Sequence, residues 1–299
     1  MSINVTPSFQ LKYNNNVDMV LQQQKCMLEE AIDTQEDNGA EKVKIKDLVG
    51  NSQPQEADER HGDTKYNNTP YDGVWIPKSN ELYHASLIDN ADTLATTIDL
   101  KGTDVMAGAG VINRSKTRRI LEGFYGPIIS GKEGTTTTPF PVGNIIPVTE
   151  GGSAGTQKIN VAKLIAADKM LTQNYVDKAL RKFMVLTADD NAQLLTEVPA
   201  TSSDFKASYA GVVMEGRLLS LLGWNFIHEE LDNPMLGTVP ALATDGSGYR
   251  KTPFWVKPGL RANYWQRLRT MVDKLPQKLG SVQVFAGTTL AATRTQAGM

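Results

Sequence analysis

Apolar residues follow a helical period in some parts of the chain and alternate with polar residues in others. Helical spacing predicts helices over residues 104–125, 161–175, 188–198 and 211–222, with Asn160 as the cap of the second. Extended patterns predict strands over residues 42–49, 183–187, 224–227, 254–256, 267–272 and 281–295. The alternation of strand and helix between residues 179 and 262 indicates an α+β or α/β core.

Glycine and proline refine this outline. Gly108 and Gly110 lower the helix propensity of residues 104–125. Residues 131–155 are rich in Gly, Thr and Pro, which predicts a hairpin and a loop with extended pieces at 135–138 and 144–148. Gly287 predicts a bulge in the last strand.

Residues 60–100 are the part of the chain that is least able to form a hydrophobic core of its own. Turn formers divide this stretch into short extended pieces, and a segment of this length without its own core is uncommon in a compact domain. Its aromatic and β-branched residues argue against disorder. We therefore expect an extended arm that finds its hydrogen-bond partners on another copy of the chain. The candidate contact residues are Arg60, Asp63, Tyr66, Tyr71, Val74, Trp75, Ile76 and Tyr83.

Residues 1–59 also read as an arm. Phe9 and Tyr13 belong to a set of apolar residues at helical spacing after Pro7, which predicts a short amphipathic helix and two more contact candidates. No part of this arm is expected to contribute a core.

Composition excludes several classes of protein. The chain has 299 residues and a net charge of −2, so it lacks the strongly basic footprint of a dedicated nucleic-acid binder. The single cysteine, Cys26, excludes a disulfide framework within the chain and a multi-cysteine zinc site. No leader or spanning segment is recognisable, so we expect a soluble protein made in a reducing cytosol, with no membrane partner.

Candidate chemistry is weak. Gly151–Gly155 spells Gly-x-Ser-x-Gly, and it raises the alternative of an α/β serine hydrolase with Ser153 as its nucleophile. A nucleophile elbow needs a buried strand before the serine and a helix directly after it, and neither is predicted here. We expect no enzyme, no cofactor and no metal site.

The strongest local charge signal lies on the first predicted helix. Arg114, Lys116, Arg118 and Arg119 read most simply as a solvated helix face. The alternative is a surface that faces DNA and contacts phosphates weakly and without sequence specificity.

Several passages together resemble one family. They are Met1–Phe9, Arg60–Thr64 with Thr69-Pro70 after it, Thr201–Phe205, Leu222–Ile227 and Gln283–Arg294. In this order along the chain they are similar to major capsid proteins of tailed double-stranded DNA bacteriophages.

The resemblance implies an α+β fold of the Hong Kong 97-like type. It implies an N-terminal arm (1–59), an extended loop (60–100) and an axial domain (179–262). It also implies a peripheral domain (101–178 plus 263–299) whose long spine helix covers about residues 104–125.

The implied function is that of a major capsid protein. Its copies would form hexamers and pentamers of an icosahedral phage head around double-stranded DNA, assembled in the cytoplasm of a host bacterium. The implied partners are the chain itself, scaffolding and portal proteins, a decoration protein and the packaged DNA. A non-infectious encapsulating shell of the same fold is a further alternative.

Overall fold

The structure, a computed structural model, describes residues 25–46, 56, 60, 63–64, 66, 73–89, 100–152, 155, 158–197, 213–214, 216–231 and 244–296. The helices among these residues are α1 (Leu100–Tyr125), α2 (Val161–Gln173) and α3 (Ala188–Glu197). The strands are β1 (Asp33–Glu36), β2 (Lys42–Lys46), β3 (Gly73–Pro77), β4 (Leu82–Ile88), β5 (Ile128–Ser130), β6 (Thr136–Thr138), β7 (Lys182–Leu186), β8 (Val213–Met214), β9 (Arg217–Leu218), β10 (Ser220–Leu221), β11 (Trp224–His228), β12 (Phe254–Val256), β13 (Leu260–Lys274) and β14 (Val282–Arg294). This content confirms the predicted mixture of helix and strand.

Three four-stranded sheets organise the described strands. The long sheet has the order β1-β13-β14-β4, the second sheet β10-β11-β7-β12 and the third sheet β2-β3-β5-β6, while β8 and β9 form a separate hairpin. The antiparallel pair β13–β14 runs from Leu260 opposite Arg294 to Lys274 opposite Val282, which makes it the longest ladder of the described chain.

Helix α1 covers one face of the long sheet. It begins at Leu100, one turn before the predicted start, and it buries Ile120 and Leu121 completely. Its glycines face the strands: a methyl group on Gly123 would lie 2.5 Å from the Ala292 carbonyl carbon. Gly123 therefore allows β14 to approach the helix backbone closely.

Residues 25–46 belong to this core, which corrects the expectation that residues 1–59 supply none. Leu28 is fully buried and Ala31 nearly so. The Trp255 Nε1–H donates to the Ala31 carbonyl over 3.0 Å, and the Trp265 Nε1–H donates to the Ala40 carbonyl over 2.7 Å. Strand β1 then pairs in parallel with β13. The predicted strand over residues 42–49 is confirmed for Lys42–Lys46, and its remainder lies outside the described residues.

Much of the stretch 60–100 also pairs within the chain. Strand β3 lies between β2 and β5, and β4 forms an edge of the long sheet beside β14. The expectation that this stretch finds its partners on another copy is therefore wrong for residues 73–77, which pair with strands of the same chain on both sides. Residues 82–88 pair with β14 on one side and have no partner strand among the described residues on the other.

The pairing of β2 with β3 in the third sheet shows where the segment between these two strands is attached. Lys46 lies opposite Gly73, so residues 47–72 leave at this end of the sheet, beside the β5–β6 turn. Gly126 and Phe140 lie beyond the other end, where Ile128 is opposite Thr138. Five strand residues span roughly 13 Å, so the two ends are well separated.

The second sheet carries α2 and α3 around a separate cluster. Leu164, Leu186, Leu194 and Trp224 are fully buried in it. Asn160 caps α2 as predicted, since its side-chain oxygen accepts from the Lys163 N–H over 2.8 Å.

Three predictions of local structure are wrong. No helix forms within the described part of 211–222. Gly216 and Leu222 adopt positive φ there, as does Gly223 directly after them, and the chain forms short strands. Residues 144–148 contain no strand, because the hairpin is built by β5 and β6. Gly287 is not bulged: the irregularities of the β13–β14 ladder lie between Tyr264 and Arg269, so the additional residues belong to β13.

Candidate subunit-contact surface

One end of the long sheet has no second layer of described residues on the face opposite α1. At the other end this face is covered, because Trp265 and Ala291 pack against Ile76 and its neighbours in the third sheet. Along β4, His84 and Ser86 point toward α1, where the Ser86 hydroxyl donates to Asp104 over 2.8 Å. Side chains alternate along a strand, so Tyr83 and Leu87 point away from the helix. The paired positions on β14 and β13 continue this side of the sheet. We call it the outer face, and it consists of Tyr83, Ala85, Leu87, Arg269, Met271, Asp273, Gln283, Phe285 and Gly287.

The outer face is apolar around Tyr83, Phe285 and Met271, with the Arg269 cation beside them and with Asp273 and Gln283 at the Leu87 end. Tyr83 and Phe285 stack with their ring centroids 5.9 Å apart, and the Arg269 guanidinium lies 5.6 Å from the Phe285 ring centroid. Tyr83 is 66% exposed and Leu87 is 49% exposed. Several large apolar side chains on one open sheet face are typical of a surface that another molecule covers.

The structure separates the predicted contact residues into three groups. Ile76 is fully buried in a cluster with Val43 and Trp265, and Val74 is 7% exposed. Trp75 is half-buried, and its Nε1–H donates to the Gly131 carbonyl over 2.7 Å. As subunit contacts, Val74 and Ile76 are therefore corrected, because the chain itself fills their surroundings.

The second group remains available at the surface. Arg60, Asp63 and Tyr66 are exposed, as is Tyr83 on the outer face. The third group, Phe9, Tyr13 and Tyr71, lies outside the described residues.

Burial removes two of the four basic residues of α1 from the predicted DNA-facing surface, and the prediction stays open for Arg118 and Arg119. Arg114 and Lys116 are only 6% and 7% exposed. Arg118 and Arg119 each contact the Glu122 carboxylate, over 2.8 and 3.5 Å. The predicted patch is wrong for the first two because their side of the helix is covered by the chain's own residues.

Lys116 belongs to a polar cluster that fastens the N-terminal residues to the core. Its ammonium lies 3.1 Å from the Glu29 carboxylate, which also accepts from the Tyr264 hydroxyl. Burial and the hydrogen bond to this carboxylate raise the pKa of Tyr264 above its usual range. Burial likewise raises the pKa of the Cys26 thiol, which lies 3.4 Å from the Thr117 hydroxyl. This cluster holds residues 25–32 against α1 and β13.

A cavity of about 820 Å³ opens beside the C-terminal end of α1 and the end of β14. Its wall includes Phe124, Phe140 and Arg294. The Arg294 guanidinium lies 4.4 Å from the Phe140 ring centroid, and its Nη2 donates to the Gly126 carbonyl over 2.8 Å. Burial lowers the pKa of Arg294.

The hydrolase alternative gains no geometric support. Ser153 lies outside the described residues, and Gly151 and Gly155 beside it adopt positive φ in an exposed loop. His228 contacts the Leu218 carbonyl over 2.9 Å, and His84 lies under α1. Within the described part of the chain no cluster of His, Cys, Asp and Glu could hold a metal ion. No helix of that part is long and apolar enough to cross a bilayer.

Sequence reasoning identified Tyr83 but missed the rest of the outer face. A signal for Leu87 was present, because residues 83, 85 and 87 alternate with the polar His84 and Ser86. Phe285 and Met271 join them only through the pairing register of β4, β14 and β13, which no local pattern gives.

Comparisons with known proteins identify a family. A family model described as phage capsid protein matches residues 5–299. No match is found among curated proteins.

Solved structures with a similar fold come from the same kind of protein. The capsid of Ralstonia phage GP4 is similar with a TM-score of 0.64 and 13% identity, covering 92% of this chain and 88% of that one. The capsid of cyanophage P-SCSP1u gives a TM-score of 0.62 and 11% identity over 92% and 86%. The capsid of a native GTA particle gives 0.58 and 12% over 93% and 89%. At these identities the likeness concerns the fold.

Proposed function

The chain belongs to the phage capsid protein family, and from this premise we propose that its copies assemble as hexamers and pentamers into an icosahedral phage head enclosing double-stranded DNA. Family membership makes it a structural protein of the virion with the Hong Kong 97-like α+β fold. The resemblance seen in the sequence is thereby confirmed.

The outer face carries this proposal. A sheet needs a second layer on each apolar face. The third sheet covers the face opposite α1 at Trp265 and Ala291, but no described residue forms a second layer beside Tyr83 and Leu87. Tyr83, Leu87 and Met271 stay exposed on this face, with a sheet edge beside them at β4. A second copy of the chain would cover these side chains, which is what a shell subunit requires.

The proposal includes the partners and the place of assembly. Scaffolding and portal proteins would direct the shell, a decoration protein would bind its outside, and the host bacterial cytoplasm would be the site of assembly. Contact with packaged DNA would be weak and non-specific. Because Arg114 and Lys116 are buried, only Arg118 and Arg119 of the α1 cluster would be available for that contact.

The proposed domain division follows the packing. α1 and the long sheet would form the peripheral domain, and the second sheet would form the axial domain. Helix α2 packs with Leu186 and Trp224 of the second sheet, which favours assigning it to the axial side. The extended loop would be the segment between β2 and β3, within residues 42–77, because β4 is part of the long sheet.

Expression of the full chain, with and without a phage scaffolding protein, followed by negative-stain electron microscopy tests the proposal. We expect closed shells of uniform diameter. Subunits that remain unassembled at every concentration, with the scaffold supplied, would contradict the capsid function.

A paired variant tests the outer face separately. Tyr83→Ser with Leu87→Ser should leave the unfolding temperature of the subunit nearly unchanged, since both side chains are exposed. The variant should assemble poorly in sedimentation velocity, because burial of each side chain at an interface contributes about 1–2 kcal/mol. Val142→Ser, at a residue 81% exposed elsewhere, is the matched control. Equal assembly of all three proteins would show that the outer face is not an interface.

A further inference from the structure

The guanidinium of Arg294 is buried, and two of its N–H donors have no hydrogen-bond acceptor. Arg294 is 2% exposed, and Nη2 has the Gly126 carbonyl as its partner. Nε and Nη1 have no hydrogen-bond partner. A buried guanidinium without a counter-charge is costly, so such a group in a cavity wall indicates a missing acceptor.

The cavity around Arg294 is cationic. Five basic side chains line it against three carboxylates, those of Asp189, Asp190 and Asp245. The Asp190 carboxylate accepts from the Thr187 N–H and hydroxyl, and Asp245 accepts from two N–H groups of its own turn. Two of the three carboxylates are therefore occupied by local donors, and the excess of basic side chains in the wall suits an anion.

Aromatic and aliphatic side chains form the rest of the wall. Phe124, Phe140 and Ile146 line the cavity with Arg294. This combination of apolar wall and cation fits a carboxylate carried on a peptide better than a small hydrated anion, because a peptide also covers the apolar surface.

The chain itself contains an acidic peptide of this kind. Residues 47–72 carry six carboxylates against two cationic side chains. No other stretch outside the described residues carries more than two carboxylates. Glu56 and Asp63, which the structure describes within this segment, are exposed.

The topology argues for a second copy as the source of this segment. Residues 47–72 leave the third sheet at its Lys46–Gly73 end. Arg294 lies at the opposite end, held by Gly126 and Phe140. Lys46 and Gly73, between which the segment is attached, therefore lie away from the cavity of their own chain, and this favours the segment of a neighbouring copy as the occupant.

We propose that the cavity at Arg294 is a binding site for a carboxylate from the acidic segment 47–72 of a second copy of this chain. The inference rests on the proposed function in that it presupposes contact between copies. It names the charge pair that would fix the position of the segment on its neighbour.

Fluorescence anisotropy with unassembled full-length subunits tests the site. The probes are a labelled peptide of residues 47–72 and a matched peptide with Glu56→Gln, Asp58→Asn and Glu59→Gln. We expect the first peptide to bind and the second to bind at least tenfold more weakly, since charge-assisted hydrogen bonds in a buried site contribute strongly.

Arg294→Met is the decisive protein variant. Methionine has a similar length and tolerates the Phe140 contact, and it removes an unpaired buried charge, so the unfolding temperature should stay equal or rise. Peptide affinity should fall at least tenfold. Arg294→Lys keeps the charge but loses the planar contact, and its affinity should lie between the two. If Arg294→Met does not fold, the comparison of the two peptides on the wild type decides.

Three outcomes would overturn the inference. Equal binding of both peptides would exclude recognition of carboxylates. Binding of inorganic phosphate at millimolar concentration without binding of either peptide would indicate a small-anion site only. Binding of the peptide only to a subunit whose own segment carries the three amide substitutions would indicate occupancy within the chain. Shell formation by electron microscopy is read separately, so the inference can fail while the capsid function stands.

Discussion

The close contact between α1 and β14 at Gly123 gives a prediction whose magnitude follows from the structure. An alanine methyl group at this position would lie 2.5 Å from the Ala292 carbonyl carbon and 2.8 Å from its Cβ. Carbon atoms rest about 3.5–4.0 Å apart, so helix and strand would have to separate by roughly 1 Å. Overpacking of this kind lowers the free energy of unfolding by about 1–3 kcal/mol. The higher helix propensity of alanine relative to glycine raises it by up to about 1 kcal/mol. We expect Gly123→Ala to destabilise the subunit by about 1–2 kcal/mol.

Gly108 provides a control in the same helix. There the new methyl group would meet only side-chain atoms, the His84 ring at 3.3 Å and the Ala286 Cβ at 3.4 Å. The gain in helix propensity should then equal or exceed the crowding, so Gly108→Ala should be neutral or stabilising by up to about 1 kcal/mol.

Urea unfolding of unassembled subunits, followed by tryptophan fluorescence, measures both variants. The midpoint should fall for Gly123→Ala and stay or rise for Gly108→Ala. If Gly123→Ala were as stable as Gly108→Ala, the argument that glycine is needed for close approach of β14 would be refuted.

Three further predictions concern the N-terminal residues and the third sheet. Cys26, whose buried thiol has a raised pKa, should react with a disulfide reagent at pH 8 at least a hundredfold more slowly in the folded subunit than in urea, because little thiolate forms and access is blocked. Glu29→Gln should destabilise the subunit by roughly 1–3 kcal/mol in thermal unfolding because it leaves Lys116 without its carboxylate, and Lys116→Met in the same chain should recover part of the loss. Trp75→Phe removes a hydrogen bond to a carbonyl and should cost about 1 kcal/mol in the same assay, whereas an unchanged midpoint would contradict that role.

Elements with a strong local pattern could be predicted from the sequence. Helix α2 shows both a helical period and a capping Asn160, and strand β11 shows a short apolar run after a turn. Each of these signals is contained within the element itself. The family resemblance then gave the fold class, because it drew on passages along the whole chain.

Features that depend on distant partners could not be predicted in this way. Residues 211–222 satisfy a helical pattern, yet Leu218 and Leu221 are buried as parts of separate short strands. Strand β1 pairs with β13, which follows it by more than two hundred residues in the sequence, and the polar sequence of β1 does not predict a position beside the core. The prediction that Lys116 faces DNA failed for a related reason, since the segment that covers Lys116 contains Glu29 from the N-terminal part of the chain.

The placement of the N-terminal residues explains where a neighbour is needed. Strand β1 covers the edge of β13 only beside Arg261–Tyr264. From Arg267 to Lys274 every residue of β13 is exposed, and no described strand pairs with that edge. This half of the long sheet therefore has α1 on one face, exposed apolar residues on the other and an open edge, an arrangement that a single chain rarely keeps. The chain completes its own core at one end of the sheet and leaves the other end for a second copy, so intersubunit binding should order β13 beyond Arg267 more than any other described strand.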